Sequence, residues 1–245
     1  MPAALRYNFA MQARPTLAII GGTGALGTGL ATRWAGAGYT VVLGSRTREK
    51  AEDAALRIEA RNGAPAVRGL DNRSAAAACD IAVIAVPYAS HGATLDEIRE
   101  AVAGKIVIDA VVPLVPPKVS TVHLPPEGSA AQAAQQRLGE AVRVVSAFHN
   151  VAAAKLAAGG PVECDVLVFG DDRSARETVM ALADAAGTRG IDGGALANSV
   201  VGEALTAVLI AINRRYKVPG AGIRITGIPD AAVAPMESTG ATRAK

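Results

Sequence analysis

Aromatic side chains are nearly absent: Phe, Tyr and Trp together make up 3% of the 245 residues. Proteins that bind nucleic acid stack bases on such rings and gather positive charge on one face. Here the formal charge is only +3 and Lys and Arg are scattered, which argues against a nucleic-acid partner. Cysteine is as scarce. Cys79 and Cys164 stand far apart with no CxxC spacing, so neither a disulfide framework nor a zinc finger is expected, and a reducing cytoplasm fits. His91, His123 and His149 are the only histidines, none at the i, i+4 spacing of a metal pair, so no metal site is expected. Long apolar runs are missing too. The most apolar, Ala204 to Ile212, has nine residues against the ~20 that span a bilayer, and residues 1–14 lack the continuous apolar segment of a signal peptide. The expectation is a soluble cytoplasmic protein, not a membrane partner, with an extension over 1–14.

What is present is apolar and periodic. Half of the residues are hydrophobic, and short β-branched runs alternate with Ala-rich stretches of helical length, the pattern of a parallel sheet covered by helices. Strands are expected at Thr16 to Ile20, Thr40 to Gly44, Ala66 to Leu70, Asp80 to Val86, Lys105 to Val111, Arg143 to Phe148 and Asp165 to Phe169. Helices are expected at Ala25 to Ala35, Arg48 to Arg61, Ser74 to Ala78, Ala93 to Val102, Ser129 to Glu140, Ala152 to Ala158, Ser174 to Ala186 and Leu196 to Tyr216. The stretch Pro113 to Gly128 holds five prolines, too many for a helix or central strand, and reads as a functional loop or lid. The tail 229–245 is small and polar and is expected to be disordered.

The first strand runs into GGTGALG, where Gly22, Gly24 and Gly27 meet the G-x-G-x-x-G spacing between strand and helix. In a dinucleotide site the first glycine permits the turn, the second lets a pyrophosphate approach the backbone, and the third allows helix to pack on strand. Thr23, Ala25 and Leu26 lie in the same turn, where free N–H groups at the helix start face the anion. An acidic residue at the end of the second strand would select NAD. The chain instead reads VVLGSRTREK, and Ser45, Arg46, Arg48 and Lys50 supply donors and positive charge suited to a 2′-phosphate. NADP(H) is the expected cofactor. Val86, Pro87 and Tyr88, at the end of DIAVIAVPY, are expected to flank it, with His91 in the same turn.

No reaction machinery of a familiar kind accompanies the turn. Tyr7, Tyr39, Tyr88 and Tyr216 have no Lys four residues on, and no Ser sits in a G-x-S-x-G elbow. The sequence therefore points to hydride transfer in which the protein mainly positions two ring systems. His149 follows the strand VRVVSAF and would stand at the C-terminal edge of the sheet, where open α/β folds bind ligands. It is the candidate catalytic residue, by a hydrogen bond to a substrate ring or the nicotinamide amide. His123, in the proline-rich loop, reads as solvent-exposed.

Taken in order, IIGGTGALGTGLATRWAGAGYTVVLGSRTREKA, CDIAVIAVPY, VVSAFHNVAAAKL and VLVFGDD resemble the F420H2:NADP oxidoreductases, across about Thr16 to Ile228. That resemblance implies an α/β, Rossmann-type doubly wound parallel sheet with a smaller C-terminal substrate-binding part. It implies an NADP-binding domain over 15–148 and a substrate-cleft part over 149–228, between which a deazaflavin, coenzyme F420, stacks near the nicotinamide. It places Thr23, Ser45, Arg46 and Lys50 at the 2′-phosphate, and His149, Asn150 and Val151 on the acceptor side. The proline-rich loop is longer than the family's, which leaves a flavin or another small acceptor as an alternative, and a non-catalytic NADPH-sensing module as a third reading. A homodimer is expected from Val200, Val201, Leu205, Val208, Leu209 and Ile212 on the last helix, which offer more apolar surface than one sheet face covers.

Overall fold

The computed structural model describes residues 14–62 and 67–228. The expectations for the 1–14 extension, save Arg14, and for the 229–245 tail lie outside the described residues. Eight strands form one sheet: β1 (Leu17–Ile20), β2 (Val41–Ser45), β3 (Val67–Asp71), β4 (Ile81–Ile84), β5 (Ile106–Asp109), β6 (Arg143–Ser146), β7 (Asp165–Gly170) and β8 (Arg189–Gly194). Their spatial order is β3-β2-β1-β4-β5-β6-β7-β8. The first six are parallel; β7 runs antiparallel to β6 and parallel to β8. The chain winds outward from β1 through β2 to β3, then returns to lay β4 on β1's other edge. That reversal opens a crevice at the carboxyl ends of β1 and β4.

The helices are α1 (Ala25–Gly36), α2 (Arg48–Asn62), α3 (Asn72–Ala77), α4 (Tyr88–Ile98), α5 (Ala130–Leu138), α6 (Ala153–Ala157), α7 (Arg173–Ala185) and α8 (Ser199–Tyr216), the last preceded by a 3-10 turn at Leu196–Asn198. They cover both sheet faces, and two buried apolar clusters result, one containing Leu17, Ile19 and Trp34, the other Ala18, Ile20 and Ile84. Alternate residues of each central strand feed opposite clusters, so these strands are apolar throughout, as strands covered on both faces must be. Trp34 anchors the first cluster: its ring meets Phe148 edge-on at 5.6 Å and its Nε1 donates to the Leu182 carbonyl at 2.8 Å.

Three findings differ from the sequence reading. Strand β8 was not expected, because RGIDGG holds three glycines and one branched aliphatic residue. Those glycines serve packing: a Cβ on Gly190 would lie 2.7 Å from Met180 Cα in α7, and one on Gly193 would lie 2.2 Å from the Phe169 ring. Helix α4 starts at Tyr88 rather than Ala93, since Pro87 supplies the fixed φ that suits a helix entrance. Tyr88 and His91 are thus helical rather than turn residues. Finally, 196–216 has, by length and composition, what a membrane-crossing helix needs, longer than the nine-residue run suggested, with 33% of its most apolar window buried.

Candidate active site

The glycine turn sits at the carboxyl end of β1 in the crevice. Gly22 N donates to Gly44 O of β2 at 3.0 Å and to Ile19 O at 3.1 Å, which pins the turn across two strands. The left-handed residue is Gly21 (φ +75), not Gly22; the first glycine of the spacing is needed for close approach instead. A Cβ on Gly22 would fall 2.7 Å from Ile19 O, and one on Gly27 would fall 2.7 Å from Gly22 Cα. These two glycines let α1 ride directly on β1. Around Gly24 the space is open, the nearest atom to a built Cβ being Gly21 O at 3.7 Å. Gly24 also supplies no side-chain cap to α1, whose first turn has no acidic residue. Ala25, Leu26 and Gly27 therefore begin a helix whose N–H groups and positive dipole end face the crevice, an arrangement that suits a pyrophosphate.

A cleft of about 640 Å³ joins this turn to the end of β2. It is lined by Thr23 and Gly24, by Ser45, Arg46 and Lys50, and by Val86 and Pro87, which gathers seven of the residues expected to hold NADP(H). Ser45 is buried, while Arg46 and Lys50 reach into solvent. Arg48 points elsewhere, paired with Glu52 at 2.7 Å along α2. The donor set is two cations and hydroxyls with no carboxylate among the lining residues, so the chemistry fits a phosphate ester and disfavours the bare ribose of NAD. Asn72, Ser90 and Thr94 line the same cleft and were not foreseen. They belong to α3 and α4, which reach the cleft only through the tertiary fold.

The acceptor-side residues are placed differently from one another. Phe148 takes φ 68, a left-handed value uncommon for a residue with a Cβ, and this kink after β6 turns His149 toward α8. The His149 ring is buried, with Nε2 3.4 Å from Ser146 Oγ. A Cβ on Gly202 of α8 would lie 3.5 Å from its Nδ1. Burial pushes its pKa down to about 4, against the opposing pull of Asp109, so the imidazole is neutral at physiological pH. It is a hydrogen-bonding group rather than a cation. Asn150 spends its amide on α8, donating to Gly202 O at 2.9 Å and Thr206 Oγ1 at 3.2 Å. Val151 is buried in the apolar cluster that also holds Trp34. Asn150 thus holds α8, and neither residue is among those lining the cleft.

Behind them lies a buried charge cluster that the sequence hid. His91 Nε2 is 2.7 Å from Asp109 Oδ2, both nearly inaccessible. Asp109 Oδ1 accepts from Val111 N at 2.9 Å. Burial opposes the charged form of His91, but the Asp109 carboxylate outweighs it and raises the pKa. Glu203 of α8 accepts from Ala130 N at 2.7 Å and Ala131 N at 3.1 Å, tying α8 to the start of α5. Burial pushes Glu203 up to about 8 in spite of those amides. The visible signals were a lone acid closing the apolar strand IVID and a lone acid inside the apolar helix VVGEALTAV. Tyr88 stacks on His91 at 6.3 Å and meets His123 of the proline-rich loop edge-on at 6.4 Å, so that loop leans on the entrance of α4.

The topology and the glycine turn define an α/β protein of the Rossmann type, and the comparisons agree on its class. Residues 16–113 match the family described as NADP oxidoreductase, coenzyme F420-dependent. An F420-dependent NADP reductase of Methanocaldococcus jannaschii is 41% identical over 221 residues, 86% of this chain and 98% of the relative. That of Methanothermobacter thermautotrophicus is 43% identical over 224 residues, 87% of this chain and 96% of the relative. A crystal structure of a putative F420-dependent NADP-reductase from Arthrobacter sp. FB24 superposes with a TM-score of 0.73 at 25% identity, covering 86% of this chain and 99% of that one. The chain belongs to the family of F420-dependent NADP reductases.

Proposed function

We infer that this protein is an NADP-dependent oxidoreductase that transfers a hydride between NADP(H) and the deazaflavin coenzyme F420. The observation that carries the reading is the single cleft in which the bare N-terminus of α1 and the Ser45, Arg46 and Lys50 donor set lie together, in a chain that aligns along nearly its whole length with reductases named for F420 and NADP. When bound, NADPH supplies a hydride at its nicotinamide and F420 accepts it on the deazaflavin ring, with a proton drawn from solvent.

The chain's own residues bind and orient. Thr23, Ser45, Arg46 and Lys50 take the 2′-phosphate, the α1 amides take the pyrophosphate, and Val86 and Pro87 form the floor at which the cofactor crosses from β1 to β4. Neutral His149 offers a ring N–H or lone pair to the acceptor. Its rate contribution is positional: bringing reacting carbons to about 3–3.5 Å supplies much of the barrier lowering that a side-chain acid would otherwise give. The part over 149–228 carries the acceptor side, and Asn150 supports it from behind by fixing α8.

The homodimer reading is supported by the stripe Val201, Leu205, Val208 and Ile212 at i, i+4, i+7 and i+11. Val201 is 58% and Val208 43% exposed, and the other two are half-buried. A cytoplasmic setting suits Cys79 and Cys164, two separate buried thiols. The function is tested by mixing the purified protein with NADP+ and reduced F420: the deazaflavin absorption returns as NADPH forms. A flavin reduced by NADPH while F420 stays inert would overturn the reading.

A further inference from the structure

Among the described residues, Asn72 Oδ1 is the one buried side-chain oxygen or nitrogen with no hydrogen-bond partner. Asn72 is 2% exposed and opens α3 beside the Asp71 cap. Its orientation is fixed from the other end, because Nδ2 donates to Glu97 Oε2 of α4 at 3.3 Å. The carbonyl end lies over β2, where a Cβ on Gly44 would come within 3.1 Å of Oδ1. A side chain at position 44 would thus crowd it, and Gly44 immediately precedes Ser45 and Arg46. Asn72 lines the same cleft as those two residues, together with Ser90 and Thr94 of α4. A buried acceptor left unpaired costs stability, and on a residue that lines a cleft it is explained by a ligand that reaches it on binding and donates to it.

Resting on the NADP(H) reading of this cleft, we propose that Asn72 reads the adenine of the cofactor, its Oδ1 accepting a hydrogen bond from the exocyclic amine. The chemistry narrows the donor. The 2′-phosphate and pyrophosphate carry only acceptors at physiological pH, and an oxygen acceptor repels them. The ribose keeps one donor, its 3′-hydroxyl, but the neighbouring phosphate draws it toward Ser45 and Arg46. What remains near the β3 end is the purine, and once joined to ribose its ring offers one donor group, the amine. Glu97 acts through Asn72 as a positioning residue, holding the amide so that oxygen and not nitrogen faces the cleft.

The test compares NADPH, its hypoxanthine analogue, which has a carbonyl in place of the amine, and NADH, by calorimetric titration of the native protein and of Asn72→Leu. Losing one such hydrogen bond weakens binding by about tenfold. The native protein is expected to bind NADPH about tenfold more tightly than the hypoxanthine analogue. Asn72→Leu is expected to abolish that preference, keep the preference of NADPH over NADH, and melt no lower than the native protein in the free state, since its one side-chain partner, Glu97, is exposed and returns to water. If Asn72→Leu does not fold, Asn72→Ala carries the same readout. A native protein indifferent to the amine, or a variant that retains the preference, overturns the proposal and leaves Oδ1 to a water molecule. Equal loss of all three ligands with a lower melting temperature marks a structural role and overturns it too. Indifference of the native protein between NADPH and NADH would instead overturn the NADP reading on which the proposal rests.

Discussion

Arg46 follows β2 with its side chain in solvent and on the rim of the cleft proposed for NADP(H), where it can fork onto a phosphate without first being desolvated. One charge-assisted hydrogen bond is worth about 1.5–3 kcal/mol. Arg46→Ala is therefore expected to weaken NADPH binding by about ten- to a hundredfold and to leave NADH binding unchanged, as read by calorimetry. This residue was legible in the sequence because charge type alone carried it. The His91–Asp109 pair and Glu203 were not, because their partners come from distant elements. Their titration sets a pH signature. Glu203, raised from an unfolded value near 4.5 to about 8, contributes stability that is present below 4.5 and lost as pH rises through 8. His91, raised above 6.5 by Asp109, loses its contribution in the same alkaline direction. His149, depressed from 6.5 to about 4, acts oppositely: its contribution is present above 6.5 and lost as pH falls toward 4. Between pH 6.5 and 8 the first two act together without opposition from His149. Urea denaturation is expected to show stability falling across that window, Glu203 accounting for up to about 1.4 kcal/mol per pH unit. Glu203→Gln is expected to flatten the slope to the share left by His91.

Elements were legible where periodicity and caps agreed. Asp71 caps α3 by accepting from Ser74 N at 2.8 Å; Gly38, at φ +84, closes α1 with Tyr39 N donating back to Trp34 O at 2.9 Å. Strand β8 was illegible because its glycines answer to the helix lying on them rather than to strand propensity. The same close packing governs β3, where α2 leaves no room above Gly69. A Cβ there would lie 2.1 Å from Glu52 N and 2.2 Å from Ala51 C, and backbone cannot swing aside as a side chain can. Gly69→Ala is expected to cost about 3 kcal/mol, the upper part of the range for overpacking. Gly36, at the end of α1, has no left-handed φ and nothing within 4 Å of a built Cβ. Gly36→Ala is expected to gain about 0.5–1 kcal/mol from helix propensity. Midpoints of urea unfolding for the two variants would move in opposite directions; movement in the same direction would show that α2 does not rest on β3 as described.

The whole molecule divides its labour along one sheet. The β1–β4 crevice carries the glycine turn proposed for the dinucleotide, and the β5–β6 end with α8 carries the buried His149 proposed for the acceptor. The C-terminal segment is held to β7 through Asp165, which accepts from Arg189 at 2.7 Å and from Ile225 N at 2.6 Å. On the outer side of α8, Val208→Glu would place a charge in the middle of the exposed apolar stripe. It is expected to convert a dimer to a monomer in sedimentation at micromolar concentration; a native protein already monomeric there would refute the dimer. The central claim is direct hydride passage from NADPH to the deazaflavin, and isotope transfer tests it most directly. The reacting position of a deazaflavin is carbon, so a transferred label stays bonded instead of exchanging with water. With NADPH deuterated at the transferable position of the nicotinamide and excess F420, mass spectrometry of the reduced product is predicted to show one deuterium retained per F420H2, while deuterated NADH reacts far more slowly. Reduced F420 without label, or no reduction of F420 at all, would contradict the account.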